Sequence, residues 1–450
     1  MNSYLQYLFS LESKGIKLGL ERTEKLFNIC KNPHKNFPSI QVIGTNGKGS
    51  TSAMIANILK TAGYKVGLYT SPHLNKINER IRINGHAIKD KDIIQFINQY
   101  RNDINKLNAS FFEVITAIAV WYFNRHSVDI AILETGLGGR LDSVTACNSD
   151  ILVCTSISKD HEHILGETIE EIAYEKICAL KNNMLCISTI HINSIRKIFD
   201  DYSKLVNVTI KYIDYNQKNQ YIKLNGIHQS ENEALAIHTI QSLNNFNINN
   251  SHIKFGLSSV QWPARIQKIH NKPNIYFDVA HNYSSFLSLC NFVYTLKGSK
   301  ILILALQKHK SINRVINKYI GDKIIINGAV IENLGSNSKL AVHNQAAILR
   351  GKEILSAEDS TTPAARVYFA LQCAYVFPER RDECVGSCEE FLEEYIKACP
   401  SAESIAEEIT KNVDNGQLYQ GLKSAQKLIK HEGALLQSFG DIFGGSANEE

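Results

Sequence analysis

Between Gly44 and Ser50 the chain reads Gly-Thr-Asn-Gly-Lys-Gly-Ser. Gly44, Gly47 and Gly49 let backbone N–H groups crowd around one concave spot. Thr45 and Asn46 complete the turn, and such a nest of amides attracts phosphate. Lys48 is placed to reach terminal phosphates, and the Ser50 hydroxyl falls where a Mg²⁺ ion would sit. The spacing, G-x-x-G-K-G-S, is shorter than the common G-x-x-x-x-G-K-[ST]. An ordinary Gly/Asn turn is the alternative, but turn chemistry alone does not call for Lys, Gly and Ser at a helix start. The flanks supply what the loop needs. The β-branched run Ile40–Ile43 predicts a buried strand, and Thr51–Leu59 predicts a helix.

Further strands are expected at Lys65–Tyr69, Val128–Leu133, Ile151–Thr155 and Leu185–Ser188, with helices at Phe111–Asn124 and Thr168–Leu180. This alternation predicts an α/β fold with a mainly parallel sheet, whose ligands bind at the carboxyl ends of the strands. Polar clusters stand at those ends: Thr70-Ser71-Pro72-His73, Glu134 to Asp142, and Asp160-His161. A hydroxyl, a carboxylate and an imidazole there form a candidate metal set, because Mg²⁺ shares its shell with phosphate and needs few protein ligands. His161 is the unusual donor for so hard an ion. Taken singly, Glu134 or His161 reads equally as a structural hydrogen-bonding residue.

The 450 residues, 44% of them hydrophobic, suffice for two or three domains. No apolar run reaches a membrane-spanning length, and the start lacks the pattern of a signal peptide. Ten scattered cysteines, with Cys384 and Cys388 the nearest metal-like pair, read as reduced thiols, so a cytoplasmic protein with no membrane partner is expected. The net charge of +5 conceals an asymmetry. Residues 321–450 hold 12 basic and 20 acidic side chains, a net of −8, against +13 for residues 1–320. Composition also shifts near residue 320, from Asn, Ile and Lys to Ala and Glu, which suggests two modules.

Ordered motifs from Leu11–Arg22 to about Leu304 resemble the folylpolyglutamate synthase/dihydrofolate synthase family of the Mur ligase group. They include Ser71-Pro72-His73-Leu74, Asn78-Glu79-Arg80-Ile81, Phe111-Phe112-Glu113, Glu134–Asp142 and Asp160-His161. They continue through Glu175-Lys176, His228-Gln229-x-x-Asn232, Trp262-Pro263-x-Arg265 and Asp278-x-Ala280-His281-Asn282. The resemblance implies that ATP phosphorylates a folate or dihydropteroate carboxylate and that the amine of L-glutamate then attacks it. It implies catalytic roles for Lys48, His161 and Lys176. Ser71, Glu134 and His161 match the family's Mg²⁺ ligands, and Lys176 matches a lysine that becomes a metal ligand once carbamylated. A helix lysine paired with a neighbouring Glu is the alternative for Lys176. Asn232, Arg265, Asp278 and His281 match nucleotide contacts, and Ser110, Phe111, Phe112 and Glu113 match the pterin-contacting loop. A monomer is expected.

Four departures stand out. Val279 and Ala264 replace family glycines, Ser143-Val144 follow Asp142 where the family usually has Ala-Thr-Asn, and Ile177-Cys178 replace small residues after Lys176. A β-branched Val279 is costly if that position needs φ > 0. The resemblance also fades by about Lys310. The expected organisation is therefore a P-loop, Mur-ligase-type ATP-binding domain over 1–263, a truncated smaller α/β domain over 264–311, and a small β plus helical module over 312–450. Strands are expected in the truncated part at Arg265–Ile269, Asn274–Asp278 and Ile301–Leu306. A half-built sheet there exposes an edge and an apolar face unless the last module covers it.

In that module, Lys323–Val330 reads as a strand with an Asn327-Gly328 turn, and Lys339–Leu349 as one or two strands. Ala364–Phe377, Asp382–Ala398, Ala402–Lys411 and Gly416–His431 show helical spacing, and the tail 444–450 reads as disordered. The pattern resembles the flagellin post-transcriptional repressor family FlbT through Ile325–Ile331, Ile348–Leu355, Thr362–Tyr368 and Leu418–Ile429. That resemblance implies binding to the 5′ untranslated region of flagellin mRNA, with the ligase half degenerate as the alternative reading of the whole chain. A net charge of −8 repels a phosphate backbone, so binding would need a local patch. Arg350, Lys352 and Arg366 are the candidates, with Tyr368 to stack on a base. A solvated surface that meets a partner protein explains the same residues.

Overall fold

The structure, a computed structural model, describes residues 3–12, 15, 17–215, 221–297, 303–304, 323–326, 329–332, 348–350, 353–355, 359–377 and 380–443. The chain divides into two compact units, residues 1–297 and 298–450.

In the first unit, eight strands form one sheet: β1 (Ser39–Ile43), β2 (Val66–Tyr69), β3 (Ile81–Ile83), β4 (His86–Ala87), β5 (Ile130–Glu134), β6 (Ile151–Cys154), β7 (Leu185–Ser188) and β8 (Ile210–Tyr212). Their order is β4-β3-β2-β5-β1-β6-β7-β8. β2, β5, β1, β6, β7 and β8 run parallel, while β3 and β4 add antiparallel at one edge. β1 is buried along its whole length because helices cover both faces. Alternate side chains serve opposite layers. Ile40, Val42, Ile130 and Ile132 meet the helices Lys48–Thr61, Gln229–Gln241 and Asn250–Ser259. On the other face, Ala131 and Leu133 pack on Ser3–Glu12, Glu21–Ile29, Asp90–Lys106 and Phe111–Arg125. Farther along that face, Ile43, Leu152 and Cys154 pack with Ile169–Ile177 and Asn193–Leu205. Between these last two clusters lies buried Gln41, whose amide donates to Thr135 Oγ1 at 3.0 Å and Thr145 Oγ1 at 2.7 Å. That polar seam sits directly below the glycine loop.

The five expected strands of the sheet form, each within two residues of its expected limits. The helix expected over Thr168–Leu180 ends at Ile177, and its start is a capping box of Thr168 and Glu171. Gln267–Asn271 and Asn274–Phe277 form an antiparallel hairpin, followed by the helix Tyr283–Thr295. The strand expected from Arg265 begins at Gln267 instead. Ala264 (φ 59°) and Ile266 (φ 45°) on either side of Arg265 are left-handed and break the extended run. Val279 is not left-handed, so the strain anticipated there is absent, while Ala264 does carry it. Ile269, Ile275 and Phe277 of the hairpin are exposed.

In the second unit, Ile303–Leu304, Ala329–Glu332, Lys323–Ile326 and Ile348–Arg350 form an antiparallel sheet in that order. Ile303–Leu304, inside the run expected to belong to the truncated domain, thus pairs with Val330 and Ile331 of the last module. The run read as one strand with a turn is two strands. Its Asn327-Gly328 turn, the 305–322 junction, residues 339–347 and the tail 444–450 lie outside the described residues. Four helices follow: Pro363–Val376, Arg381–Ala398, Glu403–Asp414 and Leu418–Phe443. Val367, Leu371, Leu392, Ile409, Leu422 and Leu428 form their common core.

Candidate active site

β1 delivers the chain into the glycine loop. A Cβ on Gly44 (φ 138°) would collide with the Thr155 hydroxyl and lie 3.2 Å from Ser156 O. A Cβ on Gly47 (φ 91°) would collide with Asn232 Oδ1. Both glycines are therefore required by handedness and by space. Lys48 turns back onto its own loop, donating from Nζ to Gly44 O at 3.1 Å and Thr45 O at 3.0 Å. Ser50 is buried in the first turn of the helix.

The carboxyl ends of the neighbouring strands converge here. Glu134, the last residue of β5, is buried, and its Oε2 accepts the Ser71 N–H at 3.1 Å. Burial pushes the Glu134 carboxyl upward, against the pull of Lys48. Burial also lowers the Lys48 ammonium, with Glu134 opposing, so the two groups face each other electrostatically across the cleft. Asp142 is pushed to about 6 by burial and opposed by N–H donation from Leu137, Val144 and Gly136, which fixes the loop after β5. His161 is left-handed (φ 54°), and its N–H bonds Asp160 Oδ1 at 2.8 Å. Lys176 is 4% exposed and donates Nζ to Gly44 O at 2.9 Å. Burial, then the like charge of Lys48, lowers its ammonium to about 7.

The opposite wall comes from later in the chain. Asn232 accepts from Thr51 Oγ1 at 3.2 Å and donates to Gln229 Oε1 at 2.9 Å. Arg265 is lowered by burial and supported by Glu134 and Asp278. Asp278 accepts from Ile266 N at 2.7 Å and Ala280 N at 2.8 Å, which ties the hairpin to the turn around Arg265. His281 Nε2 lies 3.4 Å from Asp160 Oδ2.

All the phosphate-loop, metal and nucleotide candidates from Gly44 to His281 line one cleft of about 390 Å³. Ser110, Phe111, Phe112 and Glu113 do not line it. Ser110 and Glu113 form the capping box of helix 111–125, and Glu113 pairs with Arg22 at 2.8 Å. Among the described residues no three His, Cys, Asp or Glu side chains gather into a metal cluster. The donors near the loop are thus one buried carboxylate with hydroxyls and an imidazole. An oxygen-poor set of this kind suits Mg²⁺ only when phosphate completes the shell, and the glycine cradle beside it is the place for that phosphate. Lining residues not foreseen as site residues include Arg82, Trp262 and His228, and Asn282 bonds Asn46 of the loop beside them. Arg82 stacks on Trp262 at 5.2 Å, and Trp262 closes over Gly49. The motifs quoted above contain Trp262, His228 and Asn282; nothing in the sequence marks Arg82.

In the second unit Tyr368 is 3% exposed, and its hydroxyl donates to Glu353 O at 2.7 Å. Its ring is committed to the helical core, which corrects the expectation that it stacks on a base. Arg366 is exposed, Arg350 contributes backbone pairing to Ile324, and Lys352 lies outside the described residues.

A parallel sheet with this glycine loop at the end of its central strand defines a Mur-type ligase, and the model for the Mur ligase middle domain matches residues 42–259. The chain belongs to the dihydrofolate synthase/folylpolyglutamate synthase family. It is 34% identical over 301 residues to the dihydrofolate synthase/folylpolyglutamate synthase of Bacillus subtilis, covering 60% of this chain and 70% of that one. A folylpolyglutamate synthase from Thermotoga maritima aligns at TM-score 0.63 and 29% identity over 71% of this chain and 81% of its own. A folylpolyglutamate synthase complex with AMPPCP and folate aligns at TM-score 0.61 and 28% identity, over 67% and 82%. The model for the flagellar protein FlbT matches residues 318–436.

Proposed function

We infer that the first unit is an ATP-dependent ligase that joins L-glutamate to the carboxylate of a folate or dihydropteroate. The observation that carries this reading is the convergence, in one cleft, of the Gly44–Ser50 loop, Lys48 and Glu134 with Asn232, Arg265 and Asp278. A carboxylate is a poor electrophile. The γ-phosphoryl group passes to its oxygen as the bond to ADP breaks. The glutamate amine then attacks the acyl carbon, and phosphate leaves as the amine loses a proton. The protein's task is placement and charge. The glycine-loop amides hold the phosphates, and Lys48 screens the transferred group. Arg265 and Asp278 face the nucleotide from the opposite wall. Glu134, Ser71 and His161 would hold Mg²⁺, which supplies charge neutralisation on the phosphates, and a carbamylated Lys176 would add an oxygen ligand. The solved relative with AMPPCP and folate supports ATP and a folate as the substrate classes. Residues 264–311 would be the remnant of the second ligase domain. The test is ADP release, expected to require both a pterin acceptor and glutamate and to vanish in Lys48→Ala. Release independent of either acceptor would defeat the reading.

A second reading applies to the unit 298–450, because the FlbT model spans most of it. It would act in flagellin regulation. With Tyr368 buried, contact with a flagellin leader RNA would fall to Arg350, Lys352 and Arg366. A salt-sensitive gel shift of that RNA by the full chain is expected; no shift at low salt leaves a protein partner as the alternative.

A further inference from the structure

Asn282 is 6% exposed, and its side chain meets three separate segments. Its Oδ1 accepts from Ser285 N at 3.0 Å, capping the helix 283–295, and from Asn46 Nδ2 at 3.1 Å. Its Nδ2 donates to Asn46 Oδ1 at 2.9 Å and to Asp160 Oδ2 at 3.0 Å. A carboxamide offers two donors and two acceptor positions, and all four are used. Helix capping needs only one of them. The remaining three form a reciprocal amide pair with the glycine loop and a bond to the Asp160 carboxylate. Asn46 is itself held from the sheet side, since Ser156 Oγ donates to Asn46 O at 3.2 Å and Asn46 Nδ2 lies 3.3 Å from Ser158 Oγ.

Besides Asn282, the segment it anchors meets the rest of the unit through His281 Nε2, 3.4 Å from Asp160 Oδ2, and through Asn225 Nδ2, which donates to Ile266 O at 2.8 Å. Every residue of Gln267–Asn271 is exposed, and in the helix 283–295 only Phe286 and Cys290 are buried. Asp278, four residues upstream, fixes the backbone around Arg265. The placement of Asn282 therefore sets where Asp278 and Arg265 stand relative to the phosphate loop. We propose that Asn282 is a positioning residue, a polar latch that holds the Arg265–Asp278 wall against the glycine loop before any ligand arrives, so that a nucleotide meets both walls assembled. The nucleotide part of this role rests on the ligase reading; the latch itself does not.

Two substitutions separate a latch from a helix cap, because Asp and Ser cap helices about as well as Asn. N282S is too short to reach Asn46 or Asp160, and N282D loses both donated bonds and places a second carboxylate beside Asp160. In ligand-free protein, amide hydrogen exchange is expected to quicken across residues 45–48 in both variants. A mere cap would leave 45–48 unchanged. Binding of a non-hydrolysable ATP analogue with magnesium is expected to weaken about tenfold in each, for two or three lost hydrogen bonds. The pair N282D with Asp160→Asn restores a donor opposite an acceptor and is expected to slow exchange over 45–48 back toward wild type. Unchanged exchange at 45–48 in N282S and N282D, or no recovery in the pair, overturns the latch. Failure of the wild-type protein to bind the analogue would overturn the ligase reading instead, and the exchange result still decides the latch.

Discussion

Carbamylation of Lys176 is a prediction in which chemistry and burial meet. The reaction adds a neutral amine to CO₂, forming an N–C bond and releasing a proton, so the protonated amine is inert. Lys176 is 4% exposed, and burial together with the Lys48 charge lowers its ammonium to about 7. At pH 8 an amine titrating near 7 is about 90% neutral, against about 0.3% for an ordinary lysine, so the reactive pool is larger by about 300-fold. The carbamate keeps an N–H for Gly44 O, the partner that Nζ already has at 2.9 Å. ¹³C-bicarbonate is therefore expected to produce one carbamate carbon resonance that is absent from Lys176→Met. ADP release is expected to fall in CO₂-depleted buffer and to recover on adding bicarbonate. Occupancy should also fall as pH drops through about 7, because the proton and CO₂ compete for one lone pair. In the unmodified protein the sign on stability is definite. The folded value lies below the ordinary 10.5, so the unfolded chain binds the extra proton and stability rises from about pH 7 toward 10.5. Full activity without CO₂ and no carbamate signal would refute the reasoning, leaving Lys176 as a buried donor that steadies Gly44.

Gly47→Ala puts a methyl against Asn232 Oδ1 at φ 91°. The handedness cost and the displaced bonds to Thr51 and Gln229 together amount to about 3 kcal/mol, expected as a clear drop in Tm; a loss under about 0.5 kcal/mol contradicts the loop geometry. Glu134→Gln removes a buried charge already penalised by its surroundings, so the ligand-free Tm should hold or rise while magnesium-dependent ADP release falls by about a hundredfold or more. A fall in both would point to a structural role. Restoring the two family glycines should have different outcomes. Ala264→Gly relieves a left-handed residue and is expected near neutral, whereas Val279→Gly gains no such relief and should cost about 1 kcal/mol in chemical denaturation. Tyr368→Phe removes the hydroxyl bond to Glu353 O and should destabilise the second unit by about 1 kcal/mol without altering any RNA shift.

The local features were legible in the residues themselves. A glycine loop between a β-branched run and a helix specifies its own conformation, because only glycine tolerates φ of 138° and 91° at Gly44 and Gly47. The parallel sheet followed from strands spaced by helices. The order of strands is a different matter. β2 lies beside β5, and β1 between β5 and β6, and that order brings Ser71, Glu134 and His161 to one rim. Periodicity reports which face of a strand is buried, not which strand is its neighbour. Burial is likewise decided by packing. Tyr368 has the same side chain inside a helical core as on a surface, and only the fold spends its hydroxyl on Glu353. The lowered Lys176 and raised Glu134 exist only because tertiary structure excludes water from them and sets charges beside them. Three of the four bonds of Asn282 join segments more than a hundred residues apart, a contact that no local pattern encodes.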